Sequence, residues 1–306
     1  MNETALLIAA MLASGTPLAI AGLGLLINEK VGVLNLGAEG MLLVGAVTGF
    51  AVALHSGSTV LALLAGAGAA ALLAALFGWL VIWINANQDA TGLAVSLFGA
   101  GFSAFVGVSY VGRTLGAPVS HAVPLLGDIP FLGTALFHQH PMVYIAFAAA
   151  WVLSWVFFRT RIGLVLRAVG ESPESAHALG YRVRWLRLAA VVAGGAMCGV
   201  AGAYLSTVYT PLWVEGMVAG RGWIALALTV FATWRPVRVL LGAYLFGGVT
   251  MLQLHLQGMG VEWPSQFMNM LPYLATIVVL VLISRNPQWL RTNMPASLGK
   301  SFFPGA

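Results

Sequence analysis

Apolar stretches of about 20 residues, the length of a bilayer-crossing helix, repeat along almost the whole chain. They are separated by short turns rich in Gly, Pro and polar residues. The pattern predicts spans near 4–27, 36–55, 59–84, 90–111, 141–158, 188–208, 222–234, 237–256 and 268–284. That is nine helices, with eight and ten as the bounds of the count. Stretch 222–234 is short and closes at Trp234-Arg235-Pro236. It is expected as a broken or half helix, tolerated where neighbouring protein satisfies its backbone. The fold class is an all-α polytopic membrane protein, with residues 1–306 as a single transmembrane domain.

The basic residues orient the spans, because cytoplasmic loops retain Lys and Arg. With the N-terminus outside, 12 of the 14 basic residues fall on the inner side, among them Lys30, Arg159, Arg187, Arg235, Arg285, Arg291 and Lys300. Only Arg113 and Arg221 fall outside, so the expected topology is N-out/C-in, with a cytoplasmic tail at 285–306. Within the spans, Ala62, Gly66, Ala70, Ala74 and Gly78 recur every fourth residue, and Gly195, Gly199 and Ala203 do the same. Such small-residue stripes mark faces where helix backbones approach closely in lipid.

Composition agrees with the pattern. Hydrophobic residues make up 60% of the chain and charged ones 8%, against about 25% charged in a soluble domain. This excludes a soluble globular enzyme, a disordered chain and a nucleic-acid-binding module; the net charge of +5 follows from topology. The one cysteine, Cys198, permits no disulfide within the chain and no thiolate cluster. Met1 to Glu3 lack the basic flank of a cleavable signal peptide.

The most informative loop is the inner segment 159–187, whose 29 residues carry six of the basic residues. A helix from Arg161 is expected to stop at Gly170, a C-cap residue. Ser172 then offers an N-cap, Pro173 suits the first helical position and Glu174 complements the dipole. The resulting helix, 173–179, ends at Gly180. Two turns do not stand alone in water, so this helix must dock on its own protein or on a partner.

Ionisable and amide groups within spans are candidates for function. Asn35 and Glu39, four residues apart, are expected on one helix face, there to bind a polar substrate, to line a gate or to satisfy a broken backbone stretch of their own. Ser96, Phe98 and Ser103 could face a path through the fourth span. Trp213, Glu215, Arg221 and Trp223 form an expected outer polar–aromatic patch. Within it, Glu215 and Arg221 are candidates for docking a binding protein, and Trp223, like Phe98, for stacking a ring. Asn85, Asn87, Gln88 and Asp89 read as a solvated inner turn. His138 and His140 lack the carboxylate company of a metal site, and no metal is expected. The chain has no P-loop, H-E-x-x-H or G-x-S-x-G motif; no cofactor is expected on it, and it is not expected to be an enzyme.

The run from Gly163 to Tyr181, GLVLRAVGESPESAHALGY, resembles the cytoplasmic coupling motif of ABC-importer permeases of the branched-chain amino acid, ribose and nucleoside class. Gly163, Arg167, Ala168, Gly170, Pro173, Ala176 and Gly180 match its pattern, and Ser172 stands where Asn is usual; Glu171 and Glu174 lie within the same segment. Asn28 to Met41 (NEKVGVLNLGAEGM) and Gly220 to Ala227 (GRGWIALA) resemble two further signatures. Thr233-Trp234-Arg235-Pro236 departs from the usual turn. The subgroup that it resembles is the shorter permease of nucleoside importers. The resemblance implies a P-loop ATPase carrying ATP and Mg on a separate chain and a second, longer permease. It also implies an extracytoplasmic substrate-binding protein, of lipoprotein type in that subgroup, and a place in the bacterial inner membrane. A sugar or branched-chain amino acid importer is the alternative within the class. From another class, a proton-coupled secondary transporter would use Glu39.

Overall fold

The computed structural model describes residues 3–116, 127, 129–260, 264–284 and 293–303. Arg285 and Arg291 lie outside the described residues. The helices are α1 (Glu3–Lys30), α2 (Ala38–Ser56), α3 (Thr59–Ile82), α4 (Gln88–Gly107), α5 (Pro141–Arg159), α6 (Arg161–Glu171), α7 (Pro173–Ala178), α8 (Val183–Tyr204), α9 (Arg221–Phe231), α10 (Pro236–Gly258) and α11 (Ser265–Ser284). Among the described residues, seven helices are long and apolar enough to cross a membrane: α1, α2, α3, α4, α5, α8 and α10. The seventh predicted span is α9, 11 residues long and, at about 1.5 Å per residue, too short to cross a bilayer. The ninth coincides with α11.

α1 is the central pillar. Every residue from Ser14 to Lys30 is buried, as expected of a helix apolar on all sides. α8, α9, α10 and α5 pack around it. α8 in turn presents a glycine to each of three neighbours. A Cβ on Gly194 would lie 2.4 Å from the Gly24 carbonyl of α1, on Gly199 2.2 Å from the Gly66 carbonyl of α3, and on Gly202 2.0 Å from the Leu42 carbonyl of α2. No side chain fits these spaces, so the predicted stripes on α3 and α8 are backbone-to-backbone seams. Without a hydrophobic drive between helices in lipid, such contact is what holds them together.

The turn between α9 and α10 is fixed by a polar residue of α1 and by its own side chains. Thr233 and Trp234 both take positive φ, 48° and 52°, a conformation that costs a non-glycine residue about 1–3 kcal/mol. The strain is held by anchors: the Trp234 indole and the Thr229 hydroxyl donate to the two carboxylate oxygens of buried Glu29, and Arg238 donates to the Thr233 hydroxyl. This is the local form of the Thr233–Pro236 departure.

Candidate functional site

Two places bring polar groups together. The first surrounds the start of α9. Residues 31–37 form an irregular connection between α1 and α2, so Asn35 precedes α2 and does not share a helix face with Glu39. Fully buried Asn35 closes a local turn, accepting from the Gly37 N–H at 3.0 Å. Glu39, in the first turn of α2, reaches across to α9. Its two oxygens accept the backbone N–H groups of Gly220 at 2.8 Å and Gly222 at 2.7 Å. A helix N-terminus carries unpaired N–H donors and partial positive charge; Glu39 supplies both the acceptors and the countercharge. Gly220 permits the approach with φ +82°, and a Cβ on Gly222 would stand 2.6 Å from the Glu39 backbone. The backbone that Glu39 satisfies is thus that of another helix.

Beside this junction, α1, α9, α10 and α11 line a half-open cavity of about 390 Å³. Ser14, Arg221, Thr250 and Gln253 give it polar groups, and Phe246 and Tyr273 give it aromatic walls. The sequence pattern singled out only Arg221 among these. The others sit on three further helices, α1, α10 and α11, with no spacing that joins them. Arg221 directs its guanidinium to the carbonyls of Met217 and Val218, and Glu215 is exposed. Trp213 is buried at 1% exposure rather than lying in an outer belt, because Gly107 leaves room for its indole. Trp223 and Phe98 are exposed at 40% and 57%, with Phe98 stacked on Phe102. Ser96 and Ser103 are buried and donate to the carbonyls of Leu36 and Ala100; both hydroxyls are used for structure. His138 contacts the Gly127 carbonyl and His140 caps α5. Among the described residues, no cluster suited to a metal ion occurs.

The second place is the loop end of the bundle. α5 turns directly into α6 at Thr160, which caps α6 through the Gly163 N–H at 3.2 Å. A Cβ on Gly163 would fall 2.0 Å from the Val156 carbonyl, so the sharp turn requires glycine. Gly170 lies inside α6 rather than at its cap, and it is glycine for a different reason: α6 crosses the end of α1 there, where a Cβ would meet the Lys30 carbonyl at 2.2 Å. Arg167 lies over the Phe158 ring at 5.5 Å, while Ala168 accepts the Ser172 N–H and Glu171 stays exposed. α7 begins with Ser172 accepting from the Ser175 N–H and with Pro173 at its first position, as predicted. It ends in a Schellman motif: the Tyr181 N–H bonds the Ala176 carbonyl at 3.1 Å and the Gly180 N–H the His177 carbonyl at 2.9 Å. Gly180 takes φ +88° there. Pro173 and Ala176 are buried, whereas Glu174, Ser175, Ala178 and Leu179 are exposed, Leu179 by 77%. α7 thus has an inward anchor and a free outward face.

Sequence reasoning missed the anchors of this end. Gln88, expected in solvent, is 5% exposed; it accepts the Leu34 N–H and donates to the Lys300 carbonyl. Arg187 is 2% exposed and donates to the Val31 and Lys300 carbonyls and the Ser297 hydroxyl. These partners lie up to 212 residues away, beyond the reach of any spacing rule.

Comparison with known proteins bears on both places. The chain is 39% identical, over 99% of its own length and 98% of the relative's, to the putative glucose ABC transporter permease protein TsgC13 of Haloferax volcanii. It is 32% identical to the nucleoside ABC transporter permease protein NupC of Lactococcus lactis subsp. cremoris, over 92% of this chain and 93% of that one. With the guanosine ABC transporter permease protein NupQ of Bacillus subtilis it shares 30% identity, over 90% and 91%. No solved structure matches it significantly. The profile of the branched-chain amino acid transport system / permease component family matches residues 7–283, and the chain belongs to that family as a multi-pass ABC permease subunit.

Proposed function

We propose that this permease carries nucleosides inward across the bacterial cytoplasmic membrane. Nine crossings, the seventh shared between the non-helical stretch 210–220 and the half helix α9, with the N-terminus outside and the C-terminus inside, would put α6, α7 and the tail on the inner side. In support, segment 293–303 packs beside Lys30, Gly170 and Arg187, at the opposite end of α1 from Glu3. The first and last described residues then lie on opposite faces, as an odd number of crossings requires. A partner P-loop ATPase holding ATP and Mg engages the outward face of α7, a second, longer permease completes the path, and an extracytoplasmic binding protein delivers solute at the outer side. Glu215, with Arg113 and Glu3, is a described exposed charge on that side able to steer it.

The observation that carries the substrate class is the Glu39 cap. A half-helix N-terminus inside a transporter attracts anionic substrate groups when it is open. Here Glu39 occupies it, which favours a neutral solute over an amino acid carboxylate. The adjoining cavity suits a ring compound: Phe246 and Tyr273 offer faces for a base, and Ser14, Thr250 and Gln253 offer hydrogen-bonding groups for a sugar. A hexose is the second reading, favoured by the 39% identity to a putative glucose permease. The proton-coupled alternative gives way to membership of the ABC permease family.

Gentle detergent purification of the tagged chain with mass spectrometry of its companions tests the assembly. A P-loop ATPase and a second permease in near-equal amounts are expected. A homo-oligomer without an ATPase would contradict the proposal.

A further inference from the structure

The described part of the C-terminal tail does not hang free in solvent. The Ser297 N–H and hydroxyl both donate to the Gly170 carbonyl, at 3.0 and 2.6 Å. The Gly299 N–H donates to the Gly32 carbonyl at 3.2 Å. The Lys300 carbonyl accepts from Arg187 and Gln88, and Lys30 donates to the Asn293 carbonyl at 3.1 Å. Phe302, 5% exposed, meets the His177 ring of α7 edge-on at 5.6 Å. One short segment therefore touches the end of α1, the connection that leads to α2, the last turn of α6, the six-residue α7 and the first turns of α4 and α8.

We propose that segment 293–303 is a brace that positions the coupling helix: it ties α7 and the α6–α7 joint to the 31–37 connection, and so to Glu39 and the start of α9. A helix as short as α7 has no stability of its own. If its link to the bundle were only the flanking turns, a push from the ATPase would be absorbed by local bending. Phe302 against His177, and Ser297 against Gly170, instead pass displacement to Gly32, seven residues before Glu39. Each contact in the route is a packed ring or a hydrogen bond, the physical continuity that coupling between sites needs. Phe302, Ser297 and Arg187 are thus positioning residues for transport. This rests on the ABC permease assembly proposed above.

The test compares Phe302→Ala and Ser297→Ala with wild type, using Phe302→Tyr as the conservative variant, in two measurements. Amide hydrogen exchange on the purified chain in detergent needs no partner. The Leu179, Gly180 and Tyr181 amides are expected to exchange roughly tenfold or more faster in Phe302→Ala, with the middle of α8 unchanged. In proteoliposomes holding the whole transporter, solute moved per ATP hydrolysed is expected to fall roughly threefold or more in both Ala variants, and to recover in Phe302→Tyr. Unchanged exchange at α7 would overturn the brace. Faster exchange with an unchanged ratio of solute to ATP would overturn its part in coupling. A wild-type assembly that moves no solute with ATP would instead refute the importer reading, while the exchange arm still decides whether the brace exists.

Discussion

The α3–α8 seam and the loop end of the bundle are held together by opposite means. At the seam, small residues remove side chains so that backbones touch; Gly199 and Gly66 meet with no room for a methyl group. At the loop end, long side chains and a distant tail reach in, and a buried guanidinium, Arg187, binds three partners. The difference follows from the solvent. In lipid the spans associate by close packing. At the membrane edge, where α6 and α7 are too short to fold alone, polar bonds supply direction. On the proposal above, the seam stays rigid while the loop end transmits movement.

The largest stability effect is expected at the seam. Gly199→Val places two more carbons where even Cβ would lie 2.2 Å from a carbonyl. It should cost about 3 kcal/mol or more, read as loss of monodisperse protein on size exclusion. Gly68→Ala, on the open side of α3 with nothing within 4 Å of its Cβ position, should behave as wild type and confirm that the seam, not glycine content, matters. Glu39→Gln keeps the shape but turns an amide N–H toward one of the α9 donors. A loss of about 1–3 kcal/mol should appear in the detergent melting temperature, together with reduced uptake.

Gly180→Pro imposes φ near −65° on a residue at +88° and removes the N–H that bonds His177. Its strain of about 1–3 kcal/mol stays local to α7. Insertion should persist while uptake is lost, which separates the loop end from the seam. Glu174→Arg reverses a charge that favours the start of α7 and acts on the Arg187 guanidinium. It should cost about 1 kcal/mol of stability, yet weaken ATP-driven uptake more strongly by reversing the charge that the ATPase is proposed to meet. Full uptake in both variants would show that α7 is not the contact.

How much was legible follows from the same contrast. The spans, the stripes and the α7 caps are local, so periodicity and capping residues place them to within a few positions, from α1 at 3–30 to α10 at 236–258. The short seventh stretch announced a half helix because Pro236 closes it. The role of Glu39 was not legible, because its partners lie 181 and 183 residues away. Glu29, singled out by no sequence signal of its own within the Asn28–Met41 stretch, is the anchor of the α9–α10 turn, because its partners lie 200 residues or more away. Gly170 carried the right residue for the wrong reason, since close packing against α1, not a left-handed cap, requires it. Gln88 and Arg187 read as polar loop groups because nothing nearby in sequence foretells the tail that buries them.

The most direct test of the account is uptake of labelled nucleoside into proteoliposomes that contain the purified permease pair and ATPase, with the binding protein added outside. The account predicts accumulation only with ATP enclosed and the binding protein present, inhibited by unlabelled nucleosides and not by leucine. Uptake driven by a proton gradient without ATP, or ATP-driven uptake of leucine in preference to nucleoside, would contradict it.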